Sequence, residues 1–337
     1  MKKHLWAICF SAVLIAFTTY IALDTFVIST GYAAATDMNT AMFSDVSGSS
    51  ETTVPTESAT QSDDNNSSSS PKHKGKTSSN SSDTGSSNLI DSDSSSTYSD
   101  ENTYVTDNYN ITLTEYYQYN TKIYVADVML SSAQYLKTAL ANDTYGKNVT
   151  AKTSAIAQAN NAVLAINGDY YGVQESGYVI RNGIVYRDTA KGVDVLCIYA
   201  DGTMEVVSDY EYTADELVAK GVWQAFTFGP SLVENSTVTV GVNDEVGKAM
   251  ASNPRTAIGI IDANHFVFVV SDGRTSESAG LSLYELAAFM QSLGVKTAYN
   301  LDGGGSSTMY YNGSVVNNPT TGGSIKERGV SDIVYIG

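Results

Sequence analysis

The sequence predicts an α+β fold for the carboxyl-terminal part of the chain: a mostly antiparallel, mixed β-sheet with a few flanking helices, in one domain. Apolar and β-branched runs recur there with turn dipeptides between them, as at Asn182-Gly183 and Asp201-Gly202. Such dipeptides favour antiparallel hairpins, because both central residues of a type I′ turn need a positive φ. Strands and helices do not alternate regularly, which argues against a doubly wound parallel sheet.

The strands are predicted from alternating or apolar runs that are bounded by turn residues. They are Ile111–Tyr119, Lys122–Leu130, Tyr178–Tyr186 around Asn182-Gly183, Val195–Val207 around Asp201-Gly202, Ala257–Ser271 around Asp262–His265, and Met309–Val316 around Asn312-Gly313.

Three segments are predicted to be helices: Lys152–Asn161, Thr213–Lys220 and Ser282–Leu293. The third is the clearest. Ser282 is a good N-cap, and the glutamate three residues later completes a capping box. Apolar residues follow at helical spacing, and Gly294 is a good stop. We expect one face of this helix to pack on the sheet.

The chain divides into three parts, residues 1–36, 37–102 and 103–337. Lys2 and Lys3 precede 19 uncharged residues, Leu5–Leu23, close to the length that a membrane-spanning helix needs. We expect an uncleaved anchor with the lysines in the cytoplasm, which makes the protein single-pass at the cell membrane with its domain outside. Cleavage after Ala35 is the alternative, and it would secrete the domain.

Residues 37–102 are predicted to be a disordered tether. Of the 64 residues from Asp37 to Asp100, 21 are serine and few are large and apolar, so the segment cannot bury enough surface to offset its ordering entropy. The whole chain carries 19 Lys and Arg against 36 Asp and Glu, a net charge of −17. That balance argues against nucleic acid as a partner, because phosphate backbones need clustered basic residues. Membrane contact is expected through the amino-terminal segment alone.

Cysteine and histidine content narrows the chemistry of the domain. Cys197 is its one cysteine, so no disulfide forms within it, and the apolar run around this residue predicts a buried thiol. His265 is its one histidine and lies in a predicted hairpin turn. Serine hydrolase triads and histidine-rich zinc sites therefore lose most of their support. No cofactor is predicted; Asn243, Asp244 and Glu245 leave a calcium site open, without EF-hand spacing.

Polar and glycine residues interrupt otherwise apolar strands at four places. Each place follows or opens a strand that is predicted to be buried, so the polar groups are expected at an end of the sheet. The four segments are Asn167-Gly168-Asp169-Tyr170-Tyr171, Pro254-Arg255-Thr256, Ser271-Asp272-Gly273-Arg274 and Asn300–Ser307.

The segment Asn300–Ser307 is the most informative. It contains Asn300, Asp302, Gly303, Gly304, Gly305, Ser306 and Ser307. Three consecutive glycines are tolerated mainly where the chain bends sharply or passes close to a ligand. Successive N–H groups in such a turn can form an anion-binding nest, to which the two serines would add hydroxyl donors. A tight hairpin loop without function is the alternative.

Two arginines and two aspartates are the candidate reactive groups. Arg255 and Arg274 sit beside strand ends, and two guanidinium forks there would suit a phosphate or carboxylate; salt bridges to Asp272 or Asp302 are the structural alternative. Asp272 and Asp302 form the natural carboxylate pair for glycoside cleavage. Asp272 before a glycine also fits a simple turn aspartate.

These segments resemble the phosphodiester glycosidase family in the same order along about Leu113–Gly337. The resemblance rests on Ala165–Tyr171, Phe228–Leu232, Pro254–Gly259, Ser271–Arg274, the helix Leu281–Leu293, Asn300–Ser307 and Arg328. It implies removal of a sugar from a sugar-1-phosphodiester, and bacterial members are usually associated with exopolysaccharide or other envelope glycans. The implied substrate is therefore a carbohydrate phosphodiester.

The resemblance also implies which residues form the site. Asp302 would attack the anomeric carbon or activate water, and Asp272 would orient sugar hydroxyls or act as acid or base. The residues assigned to substrate binding are Asn167, Gly168, Asp169, Arg255, Arg274, Asn300, Gly303, Gly304, Gly305, Ser306 and Arg328. Asp169 stands where many members have glycine, so it is expected to select a different sugar or to contact a cation.

A non-catalytic function is the alternative. Residues 101–337 contain 20 tyrosines, which could form stacking platforms for glycans, although exposed antiparallel strands also favour tyrosine. A tethered glycan-binding module or an exopolysaccharide-assembly module therefore stays open beside the hydrolase.

Overall fold

The computed structural model describes residues 14–16, 18, 30–31, 98–99, 101–244 and 252–337. Most of the predicted anchor, the Ala35 cleavage site, nearly all of the predicted tether and Glu245 of the calcium candidate lie outside these residues. Within the described part of the chain, no helix is long and apolar enough to span a membrane.

The described residues form the following strands, in chain order. They are β1 (Thr30–Gly31), β2 (Tyr98–Ser99), β3 (Thr103–Val105), β4 (Tyr109–Gln118), β5 (Thr121–Leu130), β6 (Lys137–Leu140), β7 (Gly146–Lys147), β8 (Ala151–Lys152), β9 (Leu164–Asn167), β10 (Val179–Arg181), β11 (Ile184–Arg187), β12 (Asp194–Tyr199), β13 (Met204–Ser208), β14 (Val222–Phe226), β15 (Ser231–Glu234), β16 (Thr237–Val238), β17 (Arg255–Asp262), β18 (His265–Ser271), β19 (Thr297–Asn300), β20 (Met309–Tyr311), β21 (Ser314–Val315), β22 (Thr320–Thr321), β23 (Ser324–Ile325), β24 (Gly329–Val330) and β25 (Asp332–Ile336).

Three α-helices lie among the residues 101–244 and 252–337: α1 (Thr153–Ala159), α2 (Ala214–Ala219) and α3 (Leu283–Ser292). They match the three predicted helices to within one or two residues at each end. The capping box at the start of α3 is present, because the Ser282 hydroxyl accepts from the Glu285 N–H at 3.1 Å and the Glu285 carboxylate accepts from the Ser282 N–H at 2.8 Å. Gly294 ends this helix with φ +84°.

The strands form three large sheets, and the assigned strand pairs in them are antiparallel. A nine-stranded sheet has the order β16-β15-β19-β17-β18-β5-β4-β3-β2, and two five-stranded sheets have the orders β21-β20-β9-β25-β6 and β11-β10-β14-β12-β13. The prediction of mostly antiparallel structure with few helices is confirmed. The division into three sheets was not predicted, because hydrophobic period identifies strands but not their partners.

The three sheets share a central core, and each carries one helix on its other face. The central cluster contains Ile166, Phe226 and Phe268, one from each sheet. Helix α3 packs on the nine-stranded sheet through residues such as Leu286, α1 on the sheet that contains β9, and α2 on the sheet that contains β12. Both faces of each sheet are therefore partly buried, which explains their apolar strands.

Two local predictions can be compared with the backbone. Asn182 and Gly183 both have positive φ, at 52° and 77°, as a type I′ turn requires. At Asp201-Gly202 the predicted hairpin is present, since β12 pairs antiparallel with β13, but only the glycine has a positive φ, so the turn is not of type I′. The Asp201 carboxylate instead accepts from the N–H and hydroxyl of Thr203 at 2.9 and 2.6 Å, an Asx-type turn.

Cys197 is fully buried, as predicted. Burial raises the pKa of its thiol to about 12, so the thiolate is not formed at neutral pH.

Candidate functional site

The four polar segments meet at one end of the nine-stranded sheet, where β18 and β19 end and β17 begins. Strand β17 lies between β18 and β19 and is antiparallel to both, so its first residue lies beside their last residues; Arg255 pairs with Ser271. The segment after β9 reaches the same place. Asn167 donates from Nδ2 to the Asp302 carbonyl at 2.6 Å, and the Asp302 N–H donates to the Gly168 carbonyl at 3.3 Å. Residues more than 100 positions apart are thereby brought together.

Asp302 is the central carboxylate at this end of the sheet. It is 7% exposed, and it accepts from Nη2 of Arg328 at 2.8 Å. The Ser306 hydroxyl and the Gly303 N–H also hydrogen-bond to it. Burial raises the pKa of Asp302 above its ordinary value, whereas Arg328 and the hydrogen bonds oppose this rise. The group is therefore a more basic carboxylate than an aspartate in water.

Arg328 holds the carboxylate from the solvent side. Its side chain is 40% exposed. It donates to the Ser306 hydroxyl from Nε at 2.9 Å and to the Gly303 carbonyl from Nη2 at 3.3 Å. The Tyr170 ring lies 5.7 Å from its guanidinium carbon. The guanidinium is thus fixed in orientation while part of it stays accessible to a ligand.

The residue before Arg328 anchors its loop. The Glu327 carboxylate accepts from the Ser154 N–H at 2.9 Å and from the Ser154 hydroxyl at 2.6 Å. These bonds attach the loop to the first turn of α1. The Arg328 N–H adds a bond to the Gly305 carbonyl at 3.2 Å.

Arg274 is the second accessible arginine. It is exposed and has φ +62°, a rare conformation for a residue other than glycine. Its Nε and Nη2 donate to Oδ1 of Asn253 at 3.2 and 2.8 Å. A Cβ on Gly304 would lie 3.0 Å from Nη2 of Arg274, so the guanidinium rests against this glycine. Arg274 and Arg328 therefore flank the glycine loop and form a local cationic patch on an acidic protein.

We expect Gly304→Ala to weaken anion binding by about tenfold, because its methyl group displaces the Arg274 guanidinium and loses a charged contact. The φ of +62° also costs about 1–2 kcal/mol of stability for alanine. Gly313→Ala is the matched control: its φ is +93°, and a Cβ there meets nothing within 4 Å. Titration with inorganic phosphate measures the effect. Equal weakening in both variants would contradict this role of Gly304.

The glycine loop itself differs from the predicted nest. Gly304–Ser306 form a 3₁₀ turn. The N–H groups of Gly304, Ser306 and Ser307 donate to the carbonyls of Pro254, Gly303 and Gly304 at 2.8, 3.3 and 3.2 Å. Because these donors have partners inside the protein, they do not form a free cradle for an anion. The accessible cationic groups at this loop are the guanidinium groups of Arg274 and Arg328, and Gly304 has no side chain that would keep Arg274 away.

Asp272 does not lie open beside Asp302 as the predicted second carboxylate. It is 2% exposed, and its oxygens accept from Nδ2 of Asn317 at 3.3 Å and from the N–H and Nδ2 of Asn318 at 2.7 and 3.2 Å. The Tyr124 hydroxyl is a further partner. Four donors fill the lone-pair positions of a carboxylate. These bonds attach Asp272 to the loop that carries Asn317 and Asn318.

Three other predicted contact residues are also engaged within the protein. Arg255 is 3% exposed and donates from Nε to the Leu281 carbonyl at 2.9 Å. The buried Asn167 accepts from the Thr256 hydroxyl at 2.8 Å. Asn300 donates to the Gly229 carbonyl at 2.8 Å. These side chains position the loops that carry Asp302 and the arginines.

Asp169 lies in a buried ion-pair cluster and does not face a sugar or a cation. It is fully buried and accepts from Nη2 of Arg181 at 2.8 Å and from the Thr227 N–H at 2.9 Å. Arg181 also donates from Nε to Asp332 at 2.7 Å. Gly168 is packed against this cluster, because a Cβ on it would overlap Oδ1 of Asp332. The expected selective role of Asp169 is therefore replaced by a structural one.

The described residues contain no group of three or more His, Cys, Asp or Glu side chains that could hold a metal ion. At the calcium candidate, the Asp244 carboxylate accepts from the Gly241 N–H at 2.7 Å. His265 lies at the start of β18, at the far end of that strand from the site, and its Nε2 is 2.9 Å from Oδ1 of Asp127.

Several residues that shape the site were not predicted as site residues. Tyr170 has φ +67° and faces Arg328, and Asn253 orients Arg274. Arg181 stands in an apolar strand before a hairpin, the same signal that drew attention to Arg255. Asn253 and Glu327 carry no comparable signal, because their partners are distant in the sequence.

The fold and site define a class: a β-rich domain in which a buried aspartate, bonded to an accessible arginine, lies at a glycine loop that a second accessible arginine also contacts. The family model described as "Phosphodiester glycosidase" matches residues 160–337, which is more than half of the chain. The chain belongs to this family.

The chain is similar to curated relatives over part of its length. The SPbeta prophage-derived uncharacterized protein YomE of Bacillus subtilis is 32% identical over 190 residues, which are 54% of this chain and 29% of YomE. Human N-acetylglucosamine-1-phosphodiester alpha-N-acetylglucosaminidase is 31% identical over 134 residues, 36% of this chain and 26% of that enzyme. The chain thus spans less than a third of the length of these curated relatives.

Solved structures share the fold. The catalytic domain of the zebrafish N-acetylglucosamine-1-phosphodiester alpha-N-acetylglucosaminidase, auto-inhibited by its pro-peptide, aligns with a TM-score of 0.54 and 20% identity, covering 68% of this chain and 82% of that one. A hypothetical protein from Synechocystis aligns with a TM-score of 0.53 and 15% identity, covering 68% and 62%. At these identities the likeness concerns the fold alone.

Proposed function

We propose that this protein hydrolyses a sugar-1-phosphodiester and releases a free sugar and a phosphomonoester. One observation carries the proposal: Asp302, buried and bonded to Arg328, lies at a loop that a second accessible arginine also flanks. A glycosyl phosphodiester presents an anionic phosphate that is joined to an electrophilic carbon through one bridging oxygen. Membership of the phosphodiester glycosidase family supports this reaction class.

The arginines bind the phosphodiester. Arg328 is paired with Asp302, whereas Arg274 is bonded to a neutral amide, Asn253. Two positive charges beside one carboxylate leave a net positive charge, which suits a monoanionic phosphodiester. As the bond between the anomeric carbon and the phosphate oxygen breaks, negative charge grows on the phosphate, and both guanidinium groups stabilise it.

Asp302 acts as the base. It takes a proton from water, the water oxygen bonds to the anomeric carbon, and the bond from that carbon to the phosphate oxygen breaks with its electron pair moving to the phosphate. A phosphate leaving group needs no proton donor, so one carboxylate is enough. Because the hydrogen bonds of Asp272 occupy its carboxylate, we favour single displacement with inversion over a double displacement, which uses two carboxylates.

The substrate is an envelope glycan or exopolysaccharide, and the domain works outside the cytoplasm. The apolar segment Leu5–Leu23 after Lys2 and Lys3 supports a membrane anchor with this orientation. The serine-rich segment then gives the domain reach along the cell surface.

Sugar release from a panel of hexose and N-acetylhexosamine 1-phosphodiesters tests the reaction class. The full-length protein is expected to release a sugar from at least one member, with and without chelator. Loss of release in the chelator arm would contradict the metal-free reaction. Binding of glycans without release from any member would favour the non-catalytic glycan-binding module.

We expect Arg328→Gln to lower kcat/KM by about 10²-fold, because it removes a donor to the developing phosphate charge. The ionised Asp302 is the active form, so activity is present above its pKa and is lost as pH falls through it. Arg328 lowers this pKa, and its removal raises the pKa further. The acid limb of kcat/KM against pH therefore moves to higher pH.

Arg328→Lys is the matched variant for charge. It keeps the cation and should keep the acid limb closer to its original position, while it loses the planar fork and much of the rate. An acid limb that stays in place or moves to lower pH in Arg328→Gln would show that Asp302 is not the titrating base.

A further inference from the structure

A cavity of about 770 Å³ lies beside the candidate site. Its walls come from the start of β12, the loop before β15, the residues around β16 and the start of α3. This volume is within the range of ligand-binding pockets. None of the residues assigned above to the reaction lines it.

The cavity is joined to the loop that carries Asp302. Gly229 and Pro230 form one wall. The Gly229 N–H donates to the Asn300 carbonyl at 3.2 Å, and the Asn300 amide donates back to the Gly229 carbonyl at 2.8 Å. Asn300 precedes Asp302 by two residues. Ser231, which begins β15 and lines the cavity, pairs with Tyr299 in the adjacent strand, one residue before Asn300.

The described part of the lining disfavours an anionic ligand. Among the described residues it includes Asp194, Glu234 and Asp244 and no Lys, Arg or His. A phosphate would meet only negative charge from these residues. Within the described residues, these side chains are not part of a group that could hold a metal ion. Carboxylate acceptors suit a ligand with several hydroxyl donors.

Two further features fit a sugar. Phe228, Pro230 and Leu283 give the cavity apolar surface, against which the C–H face of a sugar ring can pack. Ser231, a lining residue that is only 4% exposed, has a buried hydroxyl without a hydrogen-bond partner inside the protein. A buried polar group without a partner is costly unless a ligand or water satisfies it.

We propose that this cavity binds an uncharged sugar unit of the substrate glycan, next to the phosphodiester held by Arg274 and Arg328. The inference rests on the proposed function for the identity of the whole substrate, but binding in the cavity does not require turnover. The protein would then prefer phosphodiesters that are part of a longer neutral glycan over small ones.

Binding is tested on the full-length chain with Asp302→Asn, which removes turnover as a complication. Maltotriose, cellotriose, chitotriose and mannotriose are the probes, titrated by calorimetry. We expect at least one to bind, and Asp194→Ala with Glu234→Ala to weaken that binding by about tenfold or more. Asp262→Ala, an exposed carboxylate at the opposite end of β17, is the control and should bind as before.

Inorganic phosphate is the second probe. Phosphate binding should be unchanged in the double variant Asp194→Ala/Glu234→Ala and weakened in Arg274→Gln. If the double variant also loses phosphate binding, the trisaccharide titration is repeated with Glu234→Ala alone. Binding of none of the four trisaccharides, or binding that the carboxylate variants leave unchanged, would overturn the inference. Turnover by the wild-type protein on the phosphodiester panel tests the proposed function separately.

Discussion

Asp302→Asn is expected to lower kcat by about 10³-fold, the loss typical of removing a positioned general base. The amide that replaces the carboxylate cannot take a proton from water at neutral pH. The substitution keeps the size of the side chain and an oxygen acceptor for Arg328, so the fold should persist. Steady-state kinetics on the best substrate of the panel, beside thermal unfolding, measures both effects.

Asp262→Asn is the matched control for this substitution. Asp262 is an exposed aspartate at the other end of the sheet, paired with Lys296 at 3.1 Å. Its kcat should equal that of the wild type. Full turnover by Asp302→Asn would remove Asp302 from the mechanism, whereas loss of activity together with unfolding would leave the Arg328 variants to decide the role of this site.

Arg181→Leu is expected to destabilise the protein by about 3–5 kcal/mol, because it leaves two buried carboxylates without their cation. Arg181 is 1% exposed and binds Asp169 and Asp332 at 2.8 and 2.7 Å. It also bonds the Ala225 carbonyl, and its guanidinium lies 4.2 Å from the Phe226 ring centre. Urea unfolding measures the loss. A change below about 1 kcal/mol would contradict this account of the cluster.

The destabilisation caused by Arg181→Leu should increase as the pH rises. Burial raises the pKa of Asp332 to about 6 and Arg181 opposes the rise. A carboxyl group whose pKa is raised by folding contributes stability that is present below its unfolded pKa, about 4, and lost as pH rises through the folded pKa. Without Arg181 this pKa rises further, so the variant should lose more stability at pH 8 than at pH 5. Adding Asp169→Asn and Asp332→Asn should restore part of it.

The sequence predicted the local structure of the domain well. The three helices are recognisable because caps, apolar period and stop residues act within one short segment, as at Ser282 and Gly294. The antiparallel hairpins follow from turn dipeptides, although Asp201 shows that an aspartate can prefer an Asx turn. The division of strands into three sheets depends on pairings between distant residues, such as Ile333 with Asn167, which no local pattern contains.

The sequence predicted that the four polar segments lie at an end of the sheet, but not which of their side chains are buried. The four polar segments do meet at one end of the sheet, because antiparallel pairing brings the ends of β18 and β19 beside the start of β17. Whether a polar side chain faces solvent or a buried partner is decided by tertiary contacts. Asp169 is neutralised by Arg181 and Asp272 is enclosed by Asn317 and Asn318, and sequence spacing contains neither fact.

Hydrolysis in water enriched in ¹⁸O shows which bond the protein breaks. If water attacks the anomeric carbon with Asp302 as base, mass spectrometry will find the label in the released sugar and none in the phosphomonoester. The proton spectrum of the fresh product should show the inverted anomer. Label in the phosphomonoester would mean attack at phosphorus, and this would contradict glycosidic cleavage at this site.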